Sequence, residues 1–286
     1  MKPELSLRLH SIVLAIVMAM TALMGQAQET LRPVTASYSL EAGSAHRADT
    51  YLSPLKYSGW AAAFSYERMQ AMKFDPDRWV MRLAVTVGVD RSENPAGNAA
   101  LWYTGADISW GMNRRWRLMP RVSAGIGGST TLSLGCLYMA RNSNNPASAR
   151  ASWTVDVTGY VNYDVRLRNL PVTLRYRATM PVTGAFFSPD YGELYYEIYL
   201  GNRSKLAHCA WWGNYFALEN LLTADLRLGN TSLRVGYRGD ILTTRVNNVT
   251  TRAFVHCAVL GVTGEWISWR SGRSLSPEAR TISANY

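Results

Sequence analysis

Lysine is nearly missing from this sequence: among 30 basic residues only Lys2, Lys56, Lys73 and Lys205 are lysines, which leaves 26 arginines. Arginine is the cation favoured where a charge must sit in a confined ion pair with several hydrogen bonds. Cysteine is scarce and odd in number, with Cys136, Cys209 and Cys257, so no complete disulfide framework exists. Three unpaired thiols are expected, Cys136 with Cys209 being the one pairing that loops would allow. The cysteine spacing matches no metal motif, and neither a metal nor another cofactor is expected. Beyond residue 24 no apolar run approaches the roughly 20 residues a spanning helix needs. A compact basic run is also lacking. The formal net charge of +10 is dispersed along the chain, which argues against nucleic acid as a partner.

The first residues supply a leader. Lys2 and Arg8 precede an apolar run from Ile12 to Met24, and Gly25-Gln26-Ala27 puts small residues at the two positions a signal peptidase reads. Residues 1–27 are read as a signal peptide cleaved before Gln28, and 28–286 as one β-barrel domain. Loss of Lys2, Arg8 and Glu4 removes a net +1, so the mature chain carries +9.

The mature chain is organised around Ser152 to Leu167. Trp153, Val155, Val157, Val161, Val165 and Leu167 alternate with Thr154, Asp156, Thr158, Asn162, Asp164 and Arg166. A period of two over 16 residues makes one apolar and one charged face along about 50 Å of strand, at ~3.3 Å per residue. The same rhythm recurs at Val34–Ala42, Gly59–Met69, Trp79–Asp90, Ala100–Met112, Trp116–Ile126, Val172–Met180, Phe216–Leu228, Ser232–Ile241 and Arg252–Leu260. Glu193–Leu200 and Leu206–Trp212 read either as two further strands or as one long folded loop. The segment beyond Leu260 carries no assignment.

Of 20 charged residues on these ten strands, 19 lie opposite the apolar set, the exception being Arg68. A charge facing lipid at mid-bilayer costs about 2–4 kcal/mol, so a membrane barrel requires such segregation, although the wet face of a soluble sandwich would show it too. Turns and loops separate the two. Tight turns are expected near 113, 169 and 229, with long loops at 43–58 and near 95, 145 and 245. Short turns at one end and long loops at the other mark an outer-membrane barrel. Trp102 and Trp110, eight residues apart, fit two aromatic girdles about 20 Å apart on a tilted strand. The fold class expected is all-β: a transmembrane antiparallel up-and-down β-barrel with twelve strands, ten being the other count the pattern allows.

Three further stretches carry a resemblance. Thr50 to Gly59 (TYLSPLKYSG), Phe187 to Gly192 running on to Tyr195–Ile198, and Leu233 to Asp240 (LRVGYRGD) with Asn247-Asn248 resemble a domain-of-unknown-function family of Gram-negative bacterial proteins. That resemblance implies an exported outer-membrane β protein and brings no activity or site residues.

The inward face is expected to line a lumen with the acids Glu41, Glu67, Asp90, Asp107, Asp156, Asp164, Glu219, Asp225 and Asp240. The bases are Arg82, Arg117, Arg121, Arg166, Arg175, Arg177, Arg227, Arg234, Arg238 and Arg252. Nine against ten nearly cancel. Selective pores usually line a constriction with one sign, whereas a near-neutral lattice pairs across a narrow lumen and fills it. The functions this supports are a narrow channel or binding protein for small polar solutes, or a structural envelope component, with outer-membrane lipid as the surrounding partner.

The rival readings are a barrel-embedded hydrolase and a soluble periplasmic sandwich. Ser44 near His46 and Ser204 near His208 are the only nucleophile–base candidates, and neither has a persuasive acidic partner, so an enzyme is not expected. The cluster Phe186, Phe187, Tyr191, Tyr195, Tyr196 and Tyr199 fits a ligand-stacking surface or rim packing.

Overall fold

Alternating stretches become strands here because each has two faces that two different surroundings can satisfy. The computed structural model describes residues 30–142, 145–202, 204–229, 231–266 and 280–284, so the leader read at 1–27 lies outside the described residues. The elements in order are β1 (Thr30–Leu31), β2 (Val34–Asp49), β3 (Ser53–Ala71), β4 (Trp79–Glu93), β5 (Ala100–Met119), β6 (Val122–Tyr138), β7 (Ala147–Leu167) and β8 (Leu170–Phe187). They continue with α1 (Tyr195–Tyr199), β9 (Ala207–Ala210), β10 (Tyr215–Leu228), β11 (Thr231–Val246), β12 (Val249–Trp266) and β13 (Arg280–Thr281). Among the described residues, ten strands form an antiparallel ring: β2 to β8 and β10 to β12. β12 pairs with β2 from Trp266↔Val34 to Thr251↔Asp49, and β8 pairs with β10 from Thr179↔Glu219 to Val172↔Leu226, which closes the cylinder.

Ten is the smaller of the two strand counts the alternation allows. The expected pair of extra strands forms a short helix and a four-residue strand instead. Local hydrogen bonds override the period: Glu197 accepts from Leu194 N–H at 3.0 Å, while Glu193 accepts from Asp190 N–H at 2.9 Å and from Asn202 Nδ2 at 2.9 Å. β9 then pairs only with the tip of β8, from Gly184↔Ala210 to Phe187↔Ala207, and does not cross the barrel.

Several turns also move. Residues 43–58 are not a polar loop, since β2 runs to Asp49 and β3 starts at Ser53. The charged side chains Arg47 and Asp49 point inward rather than into solvent. The turn expected at 113–115 lies at 120–121, and Trp116 belongs to β5. The long loop expected near 245 is a two-residue turn, with Asn247 and Asn248 both left-handed at φ 51 and 58, the pattern of a type I′ hairpin. The largest excursion is 188–214, at the same end as loops 94–99 and 139–146. The opposite end carries the first and last described residues and the turns 120–121 and 168–169. We call these the loop end and the turn end.

The outer wall is apolar. Leu40, Phe64, Val87, Ile108, Leu134, Trp153, Leu222 and Leu260 are exposed, and Trp60 and Trp102 meet edge to face at 6.2 Å. Arg47, Glu67, Asp90, Asp156, Arg175, Asp225 and Arg234 are buried. Charges inside and aliphatic side chains outside invert a soluble protein. A sandwich is overturned as well, because one closed sheet leaves no second sheet to cover the apolar face.

The first and last described segments close the turn end. β1 pairs in parallel with β13, Ile282 N–H donates to Leu31 O at 2.8 Å, and Arg115 Nη1 donates to Ser283 O at 2.6 Å. Ala284 packs on Met69 and Val80, both nearly inaccessible. Part of the segment that alternation does not assign thus helps to seal this end.

Close strand approach depends on glycine at two matched places. A Cβ on Gly59 would overlap the carbonyl oxygen of Arg91 on β4, and one on Gly43 would overlap that of His256 on β12. In each case the obstacle is backbone, so the ladder itself must shift. Gly59→Ala is expected to cost about 1–3 kcal/mol, seen as a lower urea midpoint of unfolding from detergent micelles with an unchanged slope.

Candidate functional site

Inward side chains from strands far apart in sequence meet because closure brings every wall within reach of every other. Glu67 on β3 is the hub. Arg82 Nε donates to its Oε1 at 2.6 Å, Arg177 Nη1 bonds the same oxygen, and Arg234 Nη1 reaches Oε2 at 3.3 Å. Strands β3 and β8 stand five places apart in a ring of ten, so the Glu67–Arg177 pair spans the diameter. Arg234 also grips Asp225 through two bonds of 2.7 and 2.8 Å. Arg177 extends to Glu219 at 3.3 Å, while Arg238 joins Glu41 at 2.9 Å and Glu219 at 3.6 Å. Arg175 donates to Asn162 Oδ1 at 2.8 Å with its guanidinium over the Tyr160 ring. The space left inside this tier is about 20 Å³, room for roughly one water.

A second ionic tier stands nearer the loop end. Arg47 Nε and Nη2 reach both oxygens of Asp90 at 2.6–2.9 Å, with the guanidinium 3.9 Å from the Tyr103 ring centroid. Arg150 pairs with Asp49. Over this tier sits a cap in which Tyr51, Leu52, Tyr57, Leu101, Leu137, Met139 and Val249 pack together and Tyr195 leans on the cluster. Tyr51 Oη donates to Glu193 O at 2.7 Å, and Tyr195 Oη accepts from Ala149 N–H at 2.6 Å. Burial pushes the Tyr51 hydroxyl up to about 12, so it stays a neutral donor throughout the physiological range.

Between the tiers lies a cavity of about 310 Å³, at the low end of the ~300–1,000 Å³ typical of small-molecule sites. Its walls carry Tyr103, Phe186, Phe187 and Tyr215 beside hydroxyls from Thr86, Ser133, Ser152 and Thr154. The charged lining is six acids (Glu41, Asp90, Asp107, Asp156, Glu219 and Asp240) against four arginines (Arg47, Arg82, Arg150 and Arg238).

Of the residues expected in the lumen, Glu41, Glu67, Arg82, Arg175, Arg177, Glu219, Asp225, Arg234 and Arg238 gather in the first tier. Asp107, Asp156 and Asp240 line the cavity. Asp164 and Arg227 pair loosely at 3.9 Å beside the 168–169 turn. Arg117, Arg121 and Arg166 are exposed at strand tips of the turn end, and Arg252 is exposed with the outward set of β12. Removing these arginines from the interior turns the expected near-neutral lining into an acidic one. The alternation misses Arg47, Asp49 and Arg150, because polar segments there look like loops; continuing the period of two across 43–49 would have found Arg47 and Asp49.

The aromatic cluster divides. Phe186 and Phe187 face the cavity and Tyr195 the cap, while Tyr191, Tyr196 and Tyr199 are exposed. His46 bonds Ser58 Oγ at 2.9 Å, His208 contacts Ser188 O and Asn247 Nδ2, and His256 meets Tyr237 Oη. Ser204 donates to Asn202. All three cysteines are free thiols, and among the described residues no group of His, Cys, Asp and Glu could hold a metal ion.

No curated protein matches the sequence. Among solved structures, the chain is similar to the outer membrane protease OmpT from Escherichia coli, at 8% identity and TM-score 0.44, over 82% of this chain and 97% of that one. It is also similar to the translocator domain of the autotransporter NalP from Neisseria meningitidis, at 8% identity and TM-score 0.38, over 91% and 97%. A third likeness is to the P. putida toluene transporter TodX, at 6% identity and TM-score 0.30, over 84% and 91%. The family model described as protein of unknown function (DUF3316) matches residues 9–273, and the chain belongs to that family.

Proposed function

We propose that the protein is an outer-membrane barrel that holds a small polar solute in its lumen rather than a pore open from end to end. The loop end faces outward and the turn end faces the periplasm, as short turns do in such barrels. The observation that carries the reading is the cavity of about 310 Å³ bounded by ionic tiers on both sides. Lipid packs against the outward aliphatic and tryptophan face. Solute enters from the loop end, past the cap of packed loop and strand-end side chains and the Arg47–Asp90 and Arg150–Asp49 pairs beneath it. No catalytic step is assigned: His46, His208 and His256 bond a hydroxyl, a carbonyl and amide, and a phenol respectively, and no carboxylate orients any of them as a base among the described residues.

Planar-bilayer recording of the refolded protein tests this. Wild type is expected to insert, shown by faster gel migration before boiling than after, and to give no steady conductance steps. Regular ohmic steps from the unmodified protein would mean that the tiers do not seal the lumen and would overturn the reading.

A further inference from the structure

Which solute fits is decided by the carboxylates the lattice leaves unmatched. Each arginine lining the cavity already has an acid: Arg47 has Asp90, Arg82 has Glu67, Arg150 has Asp49, and Arg238 has Glu41 and Glu219. Three cavity acids have no cation in ion-pair contact among the described residues. Asp156 accepts only hydroxyls, from Thr131 at 2.6 Å and Ser129 at 3.4 Å. Asp107 faces Ser133 directly across the β5–β6 ladder. Asp240 makes no side-chain hydrogen bond or ion pair there, and its Oδ1 is buried without a partner.

Native interiors rarely leave a carboxylate so placed, because an unpaired buried charge is expensive: such a group takes up a proton or is matched by a bound water or cation. These acids come from β5, β7 and β11, on different parts of the wall. They surround the space rather than converge on a point, which disfavours a bare metal ion and suits a cation with dimensions of its own. Tyr103, Tyr215 and Phe186 supply faces on which a flat or apolar body can lie beside them.

The geometry points to a small organic cation, an ammonium or amidinium compound with an aromatic or compact apolar body, as the ligand of this cavity, its charge held by Asp240 with Asp107 and Asp156. The inference rests on the cavity being a binding site. It adds the sign of the charge and the residue that reads it.

Three probes of nearly one shape differ in charge: benzamidine, benzyl alcohol and benzoate. Binding is followed by calorimetry and by ligand-observed NMR on barrel refolded in micelles with the probe present, so that the cap does not limit entry. Benzamidine is expected to bind wild type well above benzyl alcohol, with benzoate undetectable. Asp240→Asn is expected to weaken benzamidine about ten- to hundredfold and leave benzyl alcohol unchanged.

Heat-shifted gel migration confirms that the variant is folded. Asp107→Asn provides a second reading should the first variant misfold. Equal binding of benzamidine and benzyl alcohol, indifferent to both substitutions, overturns the cation and leaves the cavity as a site for neutral solutes. Absence of binding by all three probes overturns the binding cavity along with it.

Discussion

Glu67→Gln is expected to destabilise the barrel strongly and to make a silent protein conduct. Glu67 is 7% exposed and accepts from three guanidinium groups, on β4, β8 and β11. The amide keeps the volume and removes the charge, so Arg82 loses its only close carboxylate among the described residues, while Arg177 and Arg234 retain Glu219 and Asp225. Breaking one buried pair costs about 3–5 kcal/mol because the surviving charge stays desolvated, and here a cross-lumen tie goes with it. Urea titration in micelles should show a midpoint shift of that size, and bilayers should show steps absent from wild type. A stable, silent Glu67→Gln barrel would mean that packing, not charge, closes the first tier.

Arg47→Ala tests the second tier. Asp90 is 2% exposed and takes its cationic bonds from Arg47, so the substitution strands a buried carboxylate and bares the Tyr103 face. The expected loss is again about 3–5 kcal/mol. Arg47→Ala with Asp90→Ala should recover most of it, since the penalty lies in the orphaned charge rather than in the missing bond. Equal loss in the single and double variants would instead assign the cost to packing on Tyr103.

Part of this lattice is legible from sequence because a membrane wall forces strict alternation at mid-strand. Asp156, Arg175, Arg177 and Arg234 therefore declare their inward direction without a structure. At strand ends the outer neighbour is headgroup or water, polar residues are tolerated on both faces, and the signal fades. For that reason the alternation puts Arg117, Arg121 and Arg166 in the lumen, where they are not, and hides Arg47 and Asp49 in an apparent loop. Residues 193–200 fail differently: their alternation is real, but Glu193 and Glu197 satisfy nearby backbone N–H groups and fold the segment onto itself. Which arginine meets which acid depends on ring order, and no local pattern encodes that.

The cross-lumen pairing has a kinetic side. Glu67 meets Arg177 over a separation of 110 positions and Arg234 over 167, and the cylinder closes only when the first long strand finds the last. Contacts so distant along the chain make folding slow. Until closure an arginine-rich inner face would have to enter the bilayer without its counter-ions. Insertion and zipping are therefore expected to form one late event, and protease should digest a chain halted before β12 while the complete barrel resists.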